Sequence, residues 1–244
     1  MVKRERIHTN TEGIAWPTLI EGILVRRYKR FLADIQLADG SVVTAHCPNS
    51  GSIKECAEPG RKVYISYHDN PKRKLKYTWE MIDMPPSLTG VNTSIPNRLV
   101  FQSIKEERID GLNGYDTIKS EASVESGSRL DLLLTNSKDE QCFIEVKNCT
   151  LVTDGEAYFP DAVTARGLKH LEVLEKLVSN GARCVMFYLI QRMDANVFKP
   201  ADHIDPAYGQ ALRKAIKKGV EMMVYDVCID LEKIKLGKPI PYIL

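Results

Sequence analysis

Two apolar stretches that carry acidic residues decide the fold of this chain: Ser128-Arg129-Leu130-Asp131-Leu132-Leu133-Leu134 and Cys142-Phe143-Ile144-Glu145-Val146-Lys147. Both are short and rich in Leu, Ile, Val and Phe, which is typical of β-strands. The polar segment 135–140 between them predicts a turn. We therefore expect the two stretches to form a β-hairpin.

The alternation of side chains along a strand places Glu145 and Lys147 on one face. An acid and a lysine within an apolar strand lose hydration, which a fold tolerates when they are paired, bound to a cation or in contact with water. The two could simply form an ion pair on a solvated face. Asp131 on the neighbouring strand favours a cleft, because two carboxylates that hold Mg²⁺ and a nearby lysine suit metal-assisted phosphodiester hydrolysis.

The composition is that of a globular chain with one large domain or two smaller ones. It has 244 residues, 43% of them hydrophobic, and six cysteines without a C-x-x-C pair. This cysteine pattern favours reduced thiols over a zinc site or a disulfide framework. No apolar run approaches the length of a membrane helix, and the basic segment 1–7 precedes no apolar core of the kind that a signal peptide needs. We therefore expect a cytoplasmic protein that is not bound to a membrane.

The amino-terminal part is basic and has the pattern of a small β-barrel. Residues 1–86 hold 14 Lys and Arg against 10 Asp and Glu, a net charge of +4, whereas the remainder holds 20 against 22, a net charge of −2. Short alternating stretches over residues 16–84, separated by turns such as Ala38-Asp39-Gly40, predict strands. The OB-fold is a five-stranded barrel of this kind, and it binds oligonucleotides.

Two runs in this part mix basic and aromatic residues: Arg26-Arg27-Tyr28-Lys29-Arg30-Phe31 and Lys72-Arg73-Lys74-Leu75-Lys76-Tyr77-Thr78-Trp79. Basic side chains attract a phosphate backbone, and aromatic rings stack on bases. Each run alone could equally be a solvated hairpin tip with its aromatic rings in the core. Two runs in one small domain favour nucleic-acid binding by Arg26, Arg27, Tyr28, Lys29, Arg30, Lys72, Arg73, Lys74 and Lys76. His46, which lies between the runs, stays unassigned.

The remainder of the chain predicts an α/β domain. Pro85 and Pro86 mark the expected boundary, because consecutive prolines cannot continue a strand ladder. Helices and strands then alternate, which argues for buried parallel strands. The predicted elements are a helix over 96–109, a strand over 115–121, the hairpin, an irregular stretch over 148–155, a helix from Asp161 or Thr164 to Ser179, a strand over 184–190, a helix over 206–218 and a strand over 221–229. Arg166 and His170 are neighbours on the second helix, off its leucine stripe, and are expected to face the hairpin.

Six segments spread over nearly the whole chain carry a family resemblance: RYKRFLAD (27–34), HCPNSG (46–51), NRL (97–99), SRLD (128–131), EVK (145–147) and FPDAVTARGLKHL (159–171). They resemble segments of the sugar fermentation stimulation protein A (SfsA) family. The order of the elements after residue 86 resembles the core of the PD-(D/E)xK nuclease superfamily, in which an acid is followed by an acid-x-Lys triplet.

This resemblance implies an OB-like barrel over residues 1–86 and a nuclease-like mixed sheet flanked by helices over residues 87–244. It implies DNA binding and a part in the expression of sugar-utilisation genes, notably for maltose. Asp131 and Glu145 would be the metal carboxylates, Lys147 the catalytic lysine and Glu121 an auxiliary acid. The residues of this domain expected to bind nucleic acid are Arg129, Arg166 and His170.

Three functions remain open. The first is a nuclease that depends on Mg²⁺ or Mn²⁺, which all three core residues of the motif permit. The second is a non-catalytic DNA-binding regulator on an inherited nuclease scaffold, because a structural ion pair could produce the same motif. The third is the binding of a small anionic metabolite in the cleft.

Overall fold

The computed structural model describes residues 12–124 and 127–244, so the basic segment 1–7 lies outside the described residues. The described chain contains the helices α1 (Ser94–Lys105), α2 (Ala165–Ser179) and α3 (Pro206–Lys217) and a 3-10 turn over Lys54–Cys56. None of these helices is long and apolar enough to cross a membrane. The strands are β1 (Ile14–Ala15), β2 (Leu19–Tyr28), β3 (Leu32–Leu37), β4 (Val42–His46), β5 (Lys62–Tyr67), β6 (Tyr77–Met84), β7 (Ser87–Gly90), β8 (Thr117–Ser123), β9 (Arg129–Thr135), β10 (Gln141–Cys149), β11 (Leu151–Thr153), β12 (Glu156–Phe159), β13 (Arg183–Ile190), β14 (Val197–Pro200), β15 (Glu221–Ile229) and β16 (Lys233–Pro239).

Strands β2 to β6 close into a barrel, because β4 pairs with β6 as well as with β3. The barrel interior is filled by apolar side chains such as Leu24, Ile35, Ile65 and Trp79, none of which is exposed. Closure pairs the strand edges that an open sheet would leave free. The expected small OB-like barrel is confirmed.

The barrel sheet extends beyond the predicted boundary at residue 86. Pro85 and Pro86 form the turn between β6 and β7, and these two strands pair from Met84–Ser87 to Met81–Gly90. The prolines do interrupt the ladder, but only for the length of a turn, so the barrel sheet ends at Gly90. The residues before the barrel also depart from the predicted division, since β1 pairs with β16 and so belongs to the sheet of the α/β part.

The α/β part is built on a seven-stranded mixed sheet with the order β1-β16-β15-β13-β10-β9-β8. Strand β13 lies parallel to both β10 and β15, and its residues 184–190 are all buried. Phe187 and Leu189 pack towards α1, whereas Met186 and Tyr188 pack towards α2 and α3. A strand covered on both faces needs such an uninterrupted apolar run. The predicted mixed sheet flanked by helices is therefore confirmed.

Several local predictions differ from the structure. The first helix of the domain begins at Ser94 and ends at Lys105 instead of covering 96–109. The stretch 148–155 is not irregular: β10 continues to Cys149, and β11 and β12 form a hairpin around Asp154 and Gly155, whose φ angles are 52° and 80°. An Asp-Gly pair is a strong signal for a two-residue hairpin turn, which requires positive φ. Strands β14 and β16 were not predicted.

Candidate functional site

The hairpin strands β9 and β10 part where their acids lie. Their ladder stops at the pair Leu132–Ile144, one residue short of Asp131. Strand β10 continues beside β13 instead. Asp131 fills part of the gap, because its Oδ2 accepts a hydrogen bond from the backbone N–H of Val146 at 2.8 Å. The two carboxylates that the sequence predicts to converge thus lie on adjacent strands at the point of divergence.

Asp131 is held in place from the opposite side by Asn97 of α1, whose Nδ2 donates to Asp131 Oδ1 at 2.7 Å. Burial and then the charge of Glu145 raise the pKa of the Asp131 carboxyl to about 6. The site therefore resists a second negative charge, which a bound cation would relieve. Asn97 was not predicted as a site residue. The sequence feature that could have identified it is the NRL segment, in which Asn97 is interpreted only as the start of a helix.

Glu145, Lys147 and His170 form a compact cluster between β10 and α2. Lys147 Nζ donates to Glu145 Oε1 at 2.7 Å and lies 3.2 Å from His170 Nδ1, which also contacts Glu145 Oε1. Glu145 is 3% exposed and His170 5%. Burial opposes ionisation of Glu145, but the hydrogen bond with His170 and the charge of Lys147 outweigh it and lower the pKa of this carboxyl. His170 thus faces the hairpin, as expected, but it is buried and held by Glu145 and Lys147, so its expected contact with nucleic acid is corrected to a contact with these two side chains.

The second carboxylate oxygen of Glu145, Oε2, is buried and has no hydrogen-bond partner among the described residues. A buried acceptor without a partner costs free energy unless a proton or a cation satisfies it. The described residues contain no cluster of three or more His, Cys, Asp or Glu side chains that could enclose a metal ion. Two carboxylates with the remaining ligands left to water or substrate suit Mg²⁺, which keeps several waters in protein sites.

Glu121 and Arg129 lie at the rim of the site. Arg129 Nη1 is 3.2 Å from Glu121 Oε2, and both side chains are largely exposed. Glu121 has a φ of 52°, and the β8–β9 ladder has no pair at this residue. It lines a cavity of about 500 Å³ together with Asp131, Asn97 and α1 residue Arg98. The structure therefore places Glu121 in the same cavity as Asp131 but with an exposed carboxylate.

Residues of the first basic–aromatic run divide into exposed and engaged side chains. Arg26 Nε donates to Asp34 Oδ2 at 2.8 Å, and its guanidinium lies 4.8 Å from the centre of the Tyr28 ring. Lys29 and Arg30 are exposed in the turn after β2, where both have positive φ. The side chains of Arg26, Tyr28, Lys29 and Arg30 therefore lie on or near the barrel surface, within reach of a large ligand.

Arg27 has a structural position that the sequence did not predict. Its guanidinium donates to the backbone carbonyls of Ser52 at 2.7 Å and of Asn49 and Gly51 at 2.9 Å, and Nε donates to the Arg30 carbonyl at 3.1 Å. Four hydrogen bonds leave little capacity for a phosphate. The expected nucleic-acid contact is therefore corrected: Arg27 holds the loop that contains the HCPNSG segment.

The second run is only partly available to a ligand. Lys72 and Lys74 are exposed, whereas Lys76 Nζ donates to the Asn70 carbonyl at 3.1 Å. Arg73 Nη2 donates to Thr78 Oγ1 at 2.7 Å. Trp79 is fully buried in the barrel and donates to the Met81 carbonyl, so it cannot stack on a base. For this aromatic residue the core interpretation is correct.

The FPDAVTARGLKHL segment joins the two parts of the molecule. Thr164 caps α2 by accepting from the Gly167 N–H at 3.0 Å, which decides between the two predicted caps. Asp161 Oδ2 instead accepts from the backbone N–H of Ile53 in the barrel at 3.0 Å. Arg166 is exposed on α2 and, unlike His170, makes no hydrogen bond or ion pair with a described residue.

Comparison with known proteins covers almost the whole chain. The family model described as the SfsA N-terminal OB domain matches residues 25–91, and that of the sugar fermentation stimulation protein RE domain matches residues 94–233. The sugar fermentation stimulation protein homolog of Geotalea daltonii is 50% identical and aligns over 93% of this chain and 98% of its own length. That of Geobacter metallireducens is 51% identical, over 93% and 97%.

A solved structure agrees with these matches. The SfsA protein of Pyrococcus furiosus, determined in complex with Ca²⁺, superposes with a TM-score of 0.88 at 25% identity and covers 96% of this chain and 99% of its own. The two domain matches meet where β7 ends and α1 begins. The resemblance inferred from the six segments is confirmed, and the chain belongs to the sugar fermentation stimulation protein (SfsA) family.

Proposed function

We propose that this protein is a nuclease that depends on a divalent cation, Mg²⁺ or Mn²⁺, and acts on DNA. The observation that carries the proposal is the buried Glu145 Oε2, which lacks a hydrogen-bond partner among the described residues beside a second carboxylate, Asp131, that resists ionisation. A cation satisfies both conditions at once. The Ca²⁺ in the Pyrococcus furiosus relative supports a divalent ion as the ligand of this fold.

Asp131 and Glu145 would hold the cation, which when bound stabilises the charge that develops on a phosphate. Lys147, whose Nζ donates to Glu145 Oε1, would orient a water molecule towards the phosphate. His170 and Asn97 act through these groups: His170 fixes the Glu145–Lys147 pair, and Asn97 fixes Asp131. Glu121, exposed in the same cavity, would be the auxiliary acid.

DNA as the substrate is supported by the exposed basic side chains of the barrel and of α2. The exposed basic side chains that could contact phosphates are Arg26, Lys29, Arg30, Lys72, Lys74, Arg129 and Arg166.

The cysteines bear on the compartment in which the protein works. All six lie in the described part of the chain and are free thiols, which agrees with a reducing compartment such as the cytoplasm. A role in regulating sugar utilisation, including that of maltose, would then depend on DNA binding.

The second candidate is a DNA-binding regulator without catalysis. One observation favours it: both Asp131 oxygens and Glu145 Oε1 already accept hydrogen bonds from groups of the chain itself. Such a network, which leaves only Glu145 Oε2 without a partner among the oxygens of these two carboxylates, could persist as a structural remnant of a nuclease site. A regulator would keep DNA affinity when the network is disrupted.

Incubation with DNA separates the two candidates. Wild type, Lys147→Ala and the control Lys217→Ala, which removes an exposed cation on α3, are incubated with plasmid, linear duplex, single-stranded DNA and RNA in Mg²⁺ and then Mn²⁺. The nuclease proposal expects cleavage by wild type and the control, with a loss of about 100-fold or more in Lys147→Ala, as for other groups that act on the transition state. If nothing is cut while wild type and Lys147→Ala both bind DNA, the regulator is the correct function.

A further inference from the structure

A second cavity, of about 320 Å³, lies between the barrel and the beginning of α1. Four basic side chains from separate elements line it: His46 at the end of β4, His68 after β5, Arg73 before β6 and Arg98 on α1. The sequence pattern assigns no role to either histidine, and it includes Arg98 only as part of the NRL segment. The convergence of these four residues is a product of the tertiary fold.

The acid in this cavity is occupied by neighbouring groups. Glu80 is 3% exposed; its Oε1 accepts from Ser66 Oγ at 2.6 Å and its Oε2 from Asn92 Nδ2 at 2.7 Å. Ser66 Oγ also lies 2.9 Å from His68 Nε2. With two arginines against one glutamate, the formal charge of the cavity is positive even when both histidines are neutral. Glu80 therefore serves the local hydrogen-bond network and does not pair with either arginine.

The two arginines differ in how they are held. Arg73 is oriented by its hydrogen bond to Thr78 Oγ1, a partner that carries no charge. Arg98 is exposed and makes no hydrogen bond or ion pair with a described residue. The Arg98 guanidinium therefore retains its full capacity for two-pronged binding of a phosphate, and the Arg73 guanidinium, which has no carboxylate partner among the described residues, keeps its remaining N–H groups for one.

Arg98 also connects this cavity to the candidate active site. It lines both the 320 Å³ cavity and the 500 Å³ cavity that contains Asp131. Its neighbour in the chain is Asn97, which holds Asp131. Consecutive Cα atoms are about 3.8 Å apart, so a single turn of α1 carries both the group that positions the acid and a free guanidinium.

We propose that Arg73 and Arg98 bind a phosphate of the DNA strand next to the phosphate that lies at Asp131, so that the strand runs from the barrel into the site through this cavity. This inference rests on the proposed DNA substrate and adds the route that the DNA strand takes across the protein surface. It places the principal barrel contact on the side that faces α1, where Arg73 points, and not on the exposed tip that carries Lys72 and Lys74.

Binding of a fluorescein-labelled duplex of about 20 base pairs, followed by anisotropy in EDTA, tests the phosphate site without cleavage. Arg73→Ala and Arg98→Ala should each weaken binding about tenfold at about 50 mM KCl, as expected for a hydrogen-bonded charged contact. Loss of one phosphate contact reduces the number of counterions released on binding by about one. The ratio of the variant's dissociation constant to that of wild type should therefore fall about 3.5-fold between about 50 and about 200 mM KCl. Arg98→Lys should keep the wild-type salt dependence, and Lys217→Ala should bind like wild type.

The outcomes separate this inference from the nuclease proposal. Suppose that the wild type binds and cuts DNA and that both alanine variants bind it with the wild-type affinity and salt dependence. This result would overturn the phosphate site and leave the nuclease proposal intact. Arginine-dependent binding by a protein that cuts no substrate would support the phosphate site and refute catalysis. A wild-type protein that binds no duplex would overturn the phosphate site, whereas the nuclease proposal is decided separately by cleavage in Mg²⁺ or Mn²⁺. Circular dichroism of each variant checks that the fold is retained. Because the Arg98 side chain is exposed, its replacement should not disturb the fold.

Discussion

Replacing Asp131 by Asn should stabilise the metal-free protein increasingly as the pH rises. Burial and then the charge of Glu145 raise the pKa of this carboxyl to about 6, so the fold prefers the protonated form. Between about pH 4 and pH 6 the native protein holds a proton that the unfolded chain has lost, and stability therefore falls as the pH rises. The Asn side chain carries no charge at any of these pH values and escapes the penalty.

The size of the effect follows from the shift of the pKa. The unfolded chain has a pKa near 3.9 for Asp, so the shift is about two units, and each unit corresponds to about 1.36 kcal/mol. The full penalty, reached above pH 6, is about 3 kcal/mol. The Asp131→Asn variant would lose one of the two hydrogen bonds that the carboxylate accepts from Asn97 and Val146, but this cost does not vary with pH.

Urea unfolding in EDTA at pH 4.5 to 7.5 measures the difference between the variant and wild type. Trp16 and Trp79 are both buried and report unfolding by fluorescence. Asp139→Asn, in the exposed turn between the same two strands, is the matched control. A difference that stays flat with pH, or that favours Asp131→Asn more at pH 4.5 than at pH 7.5, would refute the reasoning. Mg²⁺ added at pH 7.5 should stabilise wild type but not the variant, because ligand bound to the native state adds to its stability.

Three further outcomes are expected. Arg27→Ala should lower the free energy of unfolding by about 2–4 kcal/mol, because four hydrogen bonds to backbone carbonyls are lost, while DNA affinity in anisotropy changes less than about twofold. Leu174→Ala should cost about 2–5 kcal/mol in urea unfolding, against less than about 1 kcal/mol for the half-exposed Leu231→Ala. Asn97→Ala should slow cleavage about 10–100-fold and leave DNA affinity unchanged, since Asn97 acts through Asp131.

Much of the architecture could be predicted from local sequence patterns. The hairpin of β9 and β10, the buried β13 and the cap at Thr164 all depend on residues within a few positions of one another. The barrel was predictable from alternation and turns, although its end was not, because β7 resumes pairing after the proline turn. The hairpin of β11 and β12 also has a local signal, the Asp154-Gly155 pair at its turn, although the surrounding stretch is polar.

The sequence by itself determined the acidic hairpin, the order of helices and strands and the resemblance to a family. Only the tertiary structure decided which side chains meet: Asn97 reaches Asp131 from another element, and His170 reaches Glu145 across 25 residues. It also decided that Arg27 holds a loop and that Trp79 fills the core. The physical reason is that periodicity along the chain sets the direction of a side chain relative to its own strand or helix, whereas the group it meets, and whether water remains there, depend on the elements that pack against it.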